Sequence, residues 1–236
     1  MTPVTNPTHA VFDHQRARNM MLIAALATIA IALASPAATQ SPHTHQHRFS
    51  DAAKWAQVFD DPRRDAWQKP QEVISALALK PDAVVADIGA GTGYFAVRFA
   101  QLLPKGRVYA IDTEPDMVKH LSERAKREGL ANLAAFKGEP ADPRIPAPAD
   151  LIIMVDVFHH VDDRERYFAK LRGSLKAGGR LAIIDFRIDS PEGPPTTARI
   201  APEQVKAELA RAGYTLLGEH GFLPRQYFLV FGVRGV

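Results

Sequence analysis

The 236-residue chain contains no cysteine, which excludes disulfides, thiolate metal sites and a cysteine nucleophile. It has little excess charge of either sign. The net charge is +3, with Arg16 and Arg18 against Asp13 supplying one unit of it in residues 1–34. So small an excess gives no basis for nucleic-acid binding or for attraction to an anionic membrane surface. Long apolar runs are also scarce. One stands out, Met20 to Ala34 (MMLIAALATIAIALA), whose 15 residues fall short of the roughly 20 that a spanning helix needs.

What is present is more directive. Arg16 and Arg18 precede that apolar run, which ends in Ala32-Leu33-Ala34 and is followed by Ser35-Pro36-Ala37-Ala38. A basic flank, a short apolar segment and small residues at −3 and −1 are the parts of a secretory signal. Export to the periplasm or the medium is the preferred reading, ahead of an uncleaved membrane anchor and of a buried helix. Residues 1–34 are thus read as a signal peptide and 35–49 as a polar, proline-containing linker. Within the linker, His43, His45 and His47 alternate, a spacing that could offer three imidazoles to one metal ion but more often marks a solvated tail. No metal site is assigned.

Residues 50–80 read as an N-terminal helical cap. Ser50 is a candidate N-cap, and Trp55, Val58 and Phe59 offer apolar surface. A charged turn, Asp60 to Pro70, leads to a second helix with Val73, Ile74, Leu77 and Leu79 on one side. From residue 81 the pattern is strand, helix, strand, helix. Strands are expected at Val84–Ile88, Arg107–Asp112, Leu133–Lys137, Leu151–Val155 and Arg180–Phe186, as short, nearly continuous apolar runs of the kind buried on both faces. Met117, Leu121 and Ala125 mark one intervening helix, and Phe168, Leu171 and Leu175 another. A helix near Ala201–Ala212 is followed by Thr215–His220 and Gln226–Val233, separated by only five residues. That link permits a hairpin but not a crossover, so the last two strands are expected to be antiparallel. The fold class is α/β, a Rossmann-like doubly wound sheet.

The first strand runs into VADIGAGTGYF, placing Gly89, Gly91 and Gly93 between a strand end and a helix start. Such a loop brings bare backbone and a helix N-terminus to the carboxyl edge of the sheet, where ligands bind. The dinucleotide spacing G-x-G-x-x-G would require glycine at 94, where Tyr94 stands. The second strand ends at Asp112, nineteen residues beyond Gly93, and an acid there can accept hydrogen bonds from both hydroxyls of a ribose.

Taken in order, VVADIGAGTGYF, VYAIDTEPDMV, DLIIMVDVFHHVDD and LKAGGRLAIIDF resemble the successive motifs of the class I S-adenosylmethionine-dependent methyltransferases. The resemblance implies a seven-stranded sheet of order 3-2-1-4-5-7-6 with the last strand antiparallel, spanning 81–236. It implies S-adenosylmethionine as cofactor, with Asp87, Gly89, Gly91 and Gly93 around its methionine part and Asp112 on its ribose. Glu139, in the pair Gly138-Glu139, is the candidate for the adenine amine, and Asp156 falls where cofactor or substrate is touched. His159 and His160 are the candidate catalytic residues, since imidazole suits proton transfer near neutral pH; the plainer reading leaves His159 packed under the sheet and Asp162 capping the next helix. Arg199, in the Gly- and Pro-rich loop after the fifth strand, is a candidate anion binder. The partner expected is a small-molecule methyl acceptor, with no nucleic acid and no stable membrane span after signal removal. Two competitors remain: an exported ligand-binding protein on the same fold that has lost turnover, and a nicotinamide-dependent oxidoreductase.

Overall fold

The structure is a computed structural model that describes Met1 and residues 51–235. The signal reading, the linker, its histidine run and Ser50 lie outside the described residues. Three short helices come first: α1 (Ala52–Phe59), α2 (Asp65–Gln68) and α3 (Pro70–Leu77). Asp51 caps α1, its side chain accepting from the backbone N–H of Lys54 at 3.2 Å. The charged turn before α2 is a single 3-10 turn, Pro62–Arg64. Val73, Ile74 and Leu77 are buried as expected, whereas Leu79 lies beyond the end of α3 and is half-buried.

The sheet then alternates with helices: β1 (Val84–Ile88), α4 (Tyr94–Leu102), β2 (Arg107–Asp112), α5 (Pro115–Arg127), β3 (Leu133–Lys137), β4 (Ala149–Val155), α6 (Arg164–Leu171), β5 (Leu175–Phe186), α7 (Pro202–Arg211), β6 (Tyr214–His220) and β7 (Gln226–Val233). Its order is β3-β2-β1-β4-β5-β7-β6. Pairings are parallel from β3 to β5, and β7 runs antiparallel to both β5 and β6. β7 is therefore the strand that enters between β5 and β6, and its residues Gln226 to Gly232 are buried.

Side chains alternate across the central strands, so each strand feeds two cores. Leu151, Ile153, Ala182 and Ile184 face one side with Val73, Leu77, Phe99 and Leu121 of the helices. Ile152, Met154, Leu181 and Ile183 face the other, with Phe168, Leu171, Val205 and Leu209. The spacing Phe168, Leu171 and Leu175 runs four residues past the end of α6. α6 ends at Leu171, Arg172–Ser174 forms a 3-10 turn, and Leu175 opens β5. The N-cap of α6 is Asp163, whose side chain makes no capping bond. Among the described residues, no helix is long and apolar enough to cross a membrane.

Candidate functional site

All parallel strands point their carboxyl ends at one edge, and four of them deliver an aspartate there. Asp87 sits one residue before the end of β1, Asp112 ends β2, Asp156 follows β4, and Asp185 is the penultimate residue of β5. Asp87, Asp112 and Asp185 are buried, and Asp156 is partly so. Burying four carboxyls together is costly unless they are hydrogen-bonded, neutralised or met by a cation.

The glycine loop explains part of the edge. Gly89, Gly91 and Gly93 all have φ in the left-handed region, at 71°, 55° and 97°. A β-carbon on Gly89 would lie 2.3 Å from Val157 Cγ2, and one on Gly93 2.5 Å from Leu121 Cδ2. These two glycines are thus required by the packing of the protein itself, before any ligand is considered. Gly91 faces the Phe59 ring of α1, which its β-carbon would meet at 3.4 Å.

Asp112 is held at the loop by two backbone groups. Its Oδ2 accepts from Gly91 N at 2.8 Å and its Oδ1 from Glu114 N at 2.9 Å. Each oxygen keeps a second lone pair, so a vicinal diol can still donate to both. Burial raises its pKa, and the N–H groups of Glu114, Gly91 and Thr113 work against that rise. Asp87 is pushed up to about 8, chiefly by loss of water and then by repulsion from Asp112, against a hydrogen bond from the Ala96 N–H. A neutral carboxyl at that position would ionise beside a cationic ligand. The donor set therefore fits a nucleoside carrying a sulfonium and an ammonium group: a diol acceptor, bare loop backbone, and a carboxyl ready to become a counter-charge.

The first three helices lie against this loop. Thr92 Oγ1 donates to Asp60 at 3.0 Å, and Arg124 joins Asp60 and the Thr92 carbonyl, each at 3.0 Å. Tyr94 donates its hydroxyl to Asp65, which Arg98 also pairs at 3.1 Å. Trp55 stacks on Phe59 at 5.3 Å, while Trp67 stands at the other end of the site, 5.8 Å from the Phe186 ring. Phe59 thus reaches the glycine loop and Trp67 the end of β5.

At that far end a polar ladder runs between chain segments distant in sequence. Gln226 donates to Asp156 Oδ1 at 2.6 Å, and Gln68, wholly buried in α2, approaches Asp156 and Gln226 at 3.4 Å each. Arg64 donates to Gln68 Oε1 through Nε at 2.9 Å and to the Phe59 carbonyl. Asp156 adopts φ 58°, in the left-handed region, which marks a strained position for a residue with a side chain. Loss of water and the charge of Asp185 push it up to about 7, with Arg64, Gln226 and His159 pulling down.

His159 and Asp185 form a buried pair. Nδ1 lies 3.0 and 2.8 Å from the two carboxylate oxygens, and the His160 ring lies tilted against the His159 ring with centroids 4.1 Å apart. Burial works to lower the imidazole pKa, yet the hydrogen bond and charge of Asp185, then the charge of Asp156, leave it raised.

The sequence-level candidates Asp87, Gly89, Gly91, Gly93, Asp112, Asp156, His159 and His160 all lie along the carboxyl edge. Glu139 stands just past β3, half-exposed, with Lys137 at 3.6 Å and Arg144 at 3.7 Å, so its carboxylate is turned toward surface cations. Arg199 does not present itself to an anion. Its guanidinium donates to the carbonyls of Pro194, Arg187, Ile188, Ser190 and Glu192 and so ties the loop after β5 into a knot. Sequence reasoning missed Asp185, Gln68, Gln226 and Arg64. Only Asp185 left a signal, as an acid inside the apolar run LAIIDF. Among the described residues, no group of three or more His, Asp or Glu is placed to hold a metal.

Comparison with known proteins agrees with this geometry. A family model described as a methyltransferase domain matches residues 86–181. An uncharacterized methyltransferase of Staphylococcus carnosus is 33% identical over 147 residues, covering 58% of this chain and 67% of the relative. Another, from Geobacillus thermodenitrificans, is 28% identical over 178 residues, covering 74% and 75%. The crystal structure of a SAM-dependent methyltransferase from Aquifex aeolicus superposes with a TM-score of 0.70 at 28% identity, over 77% of this chain and 97% of that one. Motifs, sheet order and relatives agree: the chain belongs to the class I S-adenosylmethionine-dependent methyltransferases, and S-adenosylmethionine is its cofactor.

Proposed function

We propose that this methyltransferase acts on a small, uncharged acceptor seated at the β4–β5–β7 end of the carboxyl edge, and that it works as an exported protein. The observation that carries the acceptor reading is the cover over that edge. α1 to α3 bring Phe59 onto the glycine loop and bury Gln68 and Gln226 above Asp156. A closed, polar-lined end favours a compact acceptor over a nucleic-acid strand or a folded protein surface. Export rests on the basic flank, apolar run and Ala32-x-Ala34 pattern of the N-terminal segment.

The cofactor, when bound, supplies an electrophilic methyl group on a sulfonium. The chain's own task is alignment, counter-charge and exclusion of water. Asp112 would fix the ribose through its two remaining lone pairs. Asp87 would balance the cationic end of the cofactor, and Glu139 is the candidate for the adenine amine. Asp156, braced by Gln226 and Gln68, stands between the cofactor and acceptor halves of the edge.

Transfer of a radiolabelled methyl group from S-adenosylmethionine to small molecules, to protein and to nucleic acid tests the acceptor reading. Label appearing only in macromolecules would overturn it. Fusing residues 1–50 to a reporter active only outside the cytoplasm tests export, and a silent reporter would remove that part.

A further inference from the structure

β3 is one of the two outer strands of the sheet, and among the described residues no segment pairs with its free edge. Its backbone bonds to β2 alternate: the Asn132 carbonyl accepts from Val108 N at 2.9 Å, and Gly138 N donates to the Asp112 carbonyl at 2.9 Å. Even-numbered residues therefore face β2, and the N–H and C=O of Ala135, the Lys137 N–H and the Leu133 C=O point outward. The Leu133 N–H is taken by the Leu130 carbonyl at 3.1 Å. Beside this edge runs an open groove of about 580 Å³, lined by Ala125, Lys126, Leu130, Leu133, Ala135 and Phe136. Sheets blunt such edges with bulges, charges or proline. β6, the opposite outer strand, has a bulge between Leu216 and Gly218 and a Lys206–Glu219 ion pair at 2.6 Å. β3 holds one unbroken register and carries a charge only at its last residue, Lys137.

We propose that this edge is a dimer interface: two copies of the chain pair their β3 strands antiparallel about a two-fold axis at Ala135. The register follows from which backbone groups are free. Ala135 exchanges both of its groups with Ala135 of the second copy, and each Lys137 N–H donates to the other copy's Leu133 carbonyl. Ala135 lies on the α5 side of the sheet and Phe136 on the other. On that other side Phe136 comes opposite Ala134 of the second copy, a ring against a methyl, and the symmetry repeats the pair. On the α5 side the two α5 helices come side by side. Ser122 and Gly129, which also line the groove, are small enough to let them approach closely.

Charge complementarity selects a second copy as the occupant. The same register sets Glu139 opposite Ala131 of the other chain, and the Ala131 carbonyl is where the Arg107 guanidinium lies, at 3.3 Å. Among the described residues Arg107 pairs with no carboxylate. The cations near Glu139 within its own chain stand at 3.6 and 3.7 Å, beyond hydrogen-bond reach. Dimerisation gives each Glu139 a guanidinium from the other copy, while its second oxygen stays available for the adenine amine. Self-pairing also closes the assembly, whereas β3 against another copy's β6 would add chains without end. One strand and one helix flank make a small interface, so the dimer is expected to form in the micromolar range.

Analytical ultracentrifugation of the full chain, from about 1 to about 300 µM, should show a monomer–dimer equilibrium. Ala135→Pro removes an outward N–H without touching the bonds to β2, so it should abolish the dimer. Arg107→Glu and Glu139→Arg should each weaken the dimer about tenfold, because symmetry sets two like-charged contacts in place of two opposite ones. The double variant, with the charges exchanged, should recover most of that loss. Amide exchange reads the same interface without any substitution. The Ala135 and Lys137 N–H groups should gain protection as concentration rises, while the Phe136 N–H, facing β2, is protected throughout. Should Ala135→Pro fail to fold, the charge exchange and the amide protection decide. A monomer at every concentration, an open ladder of larger species, a dimer that survives Ala135→Pro, or fast exchange at Ala135 at every concentration would each overturn the proposal.

Discussion

Replacing Asp87 with asparagine should flatten the pH dependence of stability in the cofactor-free protein. Asp87 is 3% exposed, and its pKa lies at about 8 in the folded chain against 3.8 for an ordinary aspartate. A carboxyl whose pKa is raised on folding binds more protons in the native state than in the unfolded one. Stability is therefore greatest below pH 4 for this group and declines as pH rises from there to about 8. At about 1.4 kcal/mol per pH unit, the penalty from this group is about 1.6 kcal/mol at pH 5 and about 4 kcal/mol at pH 7. The difference, about 2–3 kcal/mol, corresponds to roughly 5–10 °C in Tm for a domain of this size. Asparagine keeps the carbonyl that accepts the Ala96 N–H but cannot ionise. Thermal unfolding of both proteins between pH 5 and 7.5 should give a falling Tm for the parent and a shallower fall for Asp87→Asn, the remainder coming from Asp156, which rises to about 7, and from Asp112 and His159, whose pKa values are also raised on folding. Parallel curves for the two proteins would refute the reasoning, since they would mean that Asp87 carries the same charge folded and unfolded.

Two further perturbations follow from named contacts. Gly89→Ala combines a left-handed φ with a β-carbon 2.3 Å from Val157, so it should lose about 2–4 kcal/mol in chemical denaturation, partly restored by Val157→Ala. Arg199→Ala removes the donor to five loop carbonyls and should expose residues 187–199 to proteolysis, raise the acceptor KM several-fold and cost roughly 2 kcal/mol. Unchanged protease resistance would show that the loop is held by other means.

Much of the fold is legible in the sequence because local rules and global position agree there. β1, β2 and β3 are apolar runs ended by glycine or by charged turn residues, and their observed bounds coincide with the reading. β5 begins five residues earlier than its apolar run, because Lys176 to Gly178 is an exposed stretch, and the strand's start joins β4 only across an irregularity in register. Leu175 carries helical spacing yet falls in that strand, since Gly173 lies in the turn where the helix gives way. The site divides in the same manner. Glycines and strand-end acids announce themselves by position. The pairing of His159 with Asp185, 26 residues apart, exists only once β4 and β5 lie side by side. Gln68 and Gln226 are 158 residues apart and carry no pattern at all; only burial under the cover gives them a role. Arg199 shows the converse. A lone arginine in a loop invites an anion in sequence, whereas backbone carbonyls take all its attention in the fold.

The most direct test of the cofactor cleft is calorimetric titration with S-adenosylmethionine and S-adenosylhomocysteine, beside Asp112→Ala. Micromolar binding of both ligands, weakened by 1.4 kcal/mol or more (about tenfold) in the variant, is the result expected if Asp112 holds the ribose. Binding that the substitution leaves unchanged would contradict that placement, and no heat with either ligand would contradict the cleft as a cofactor site.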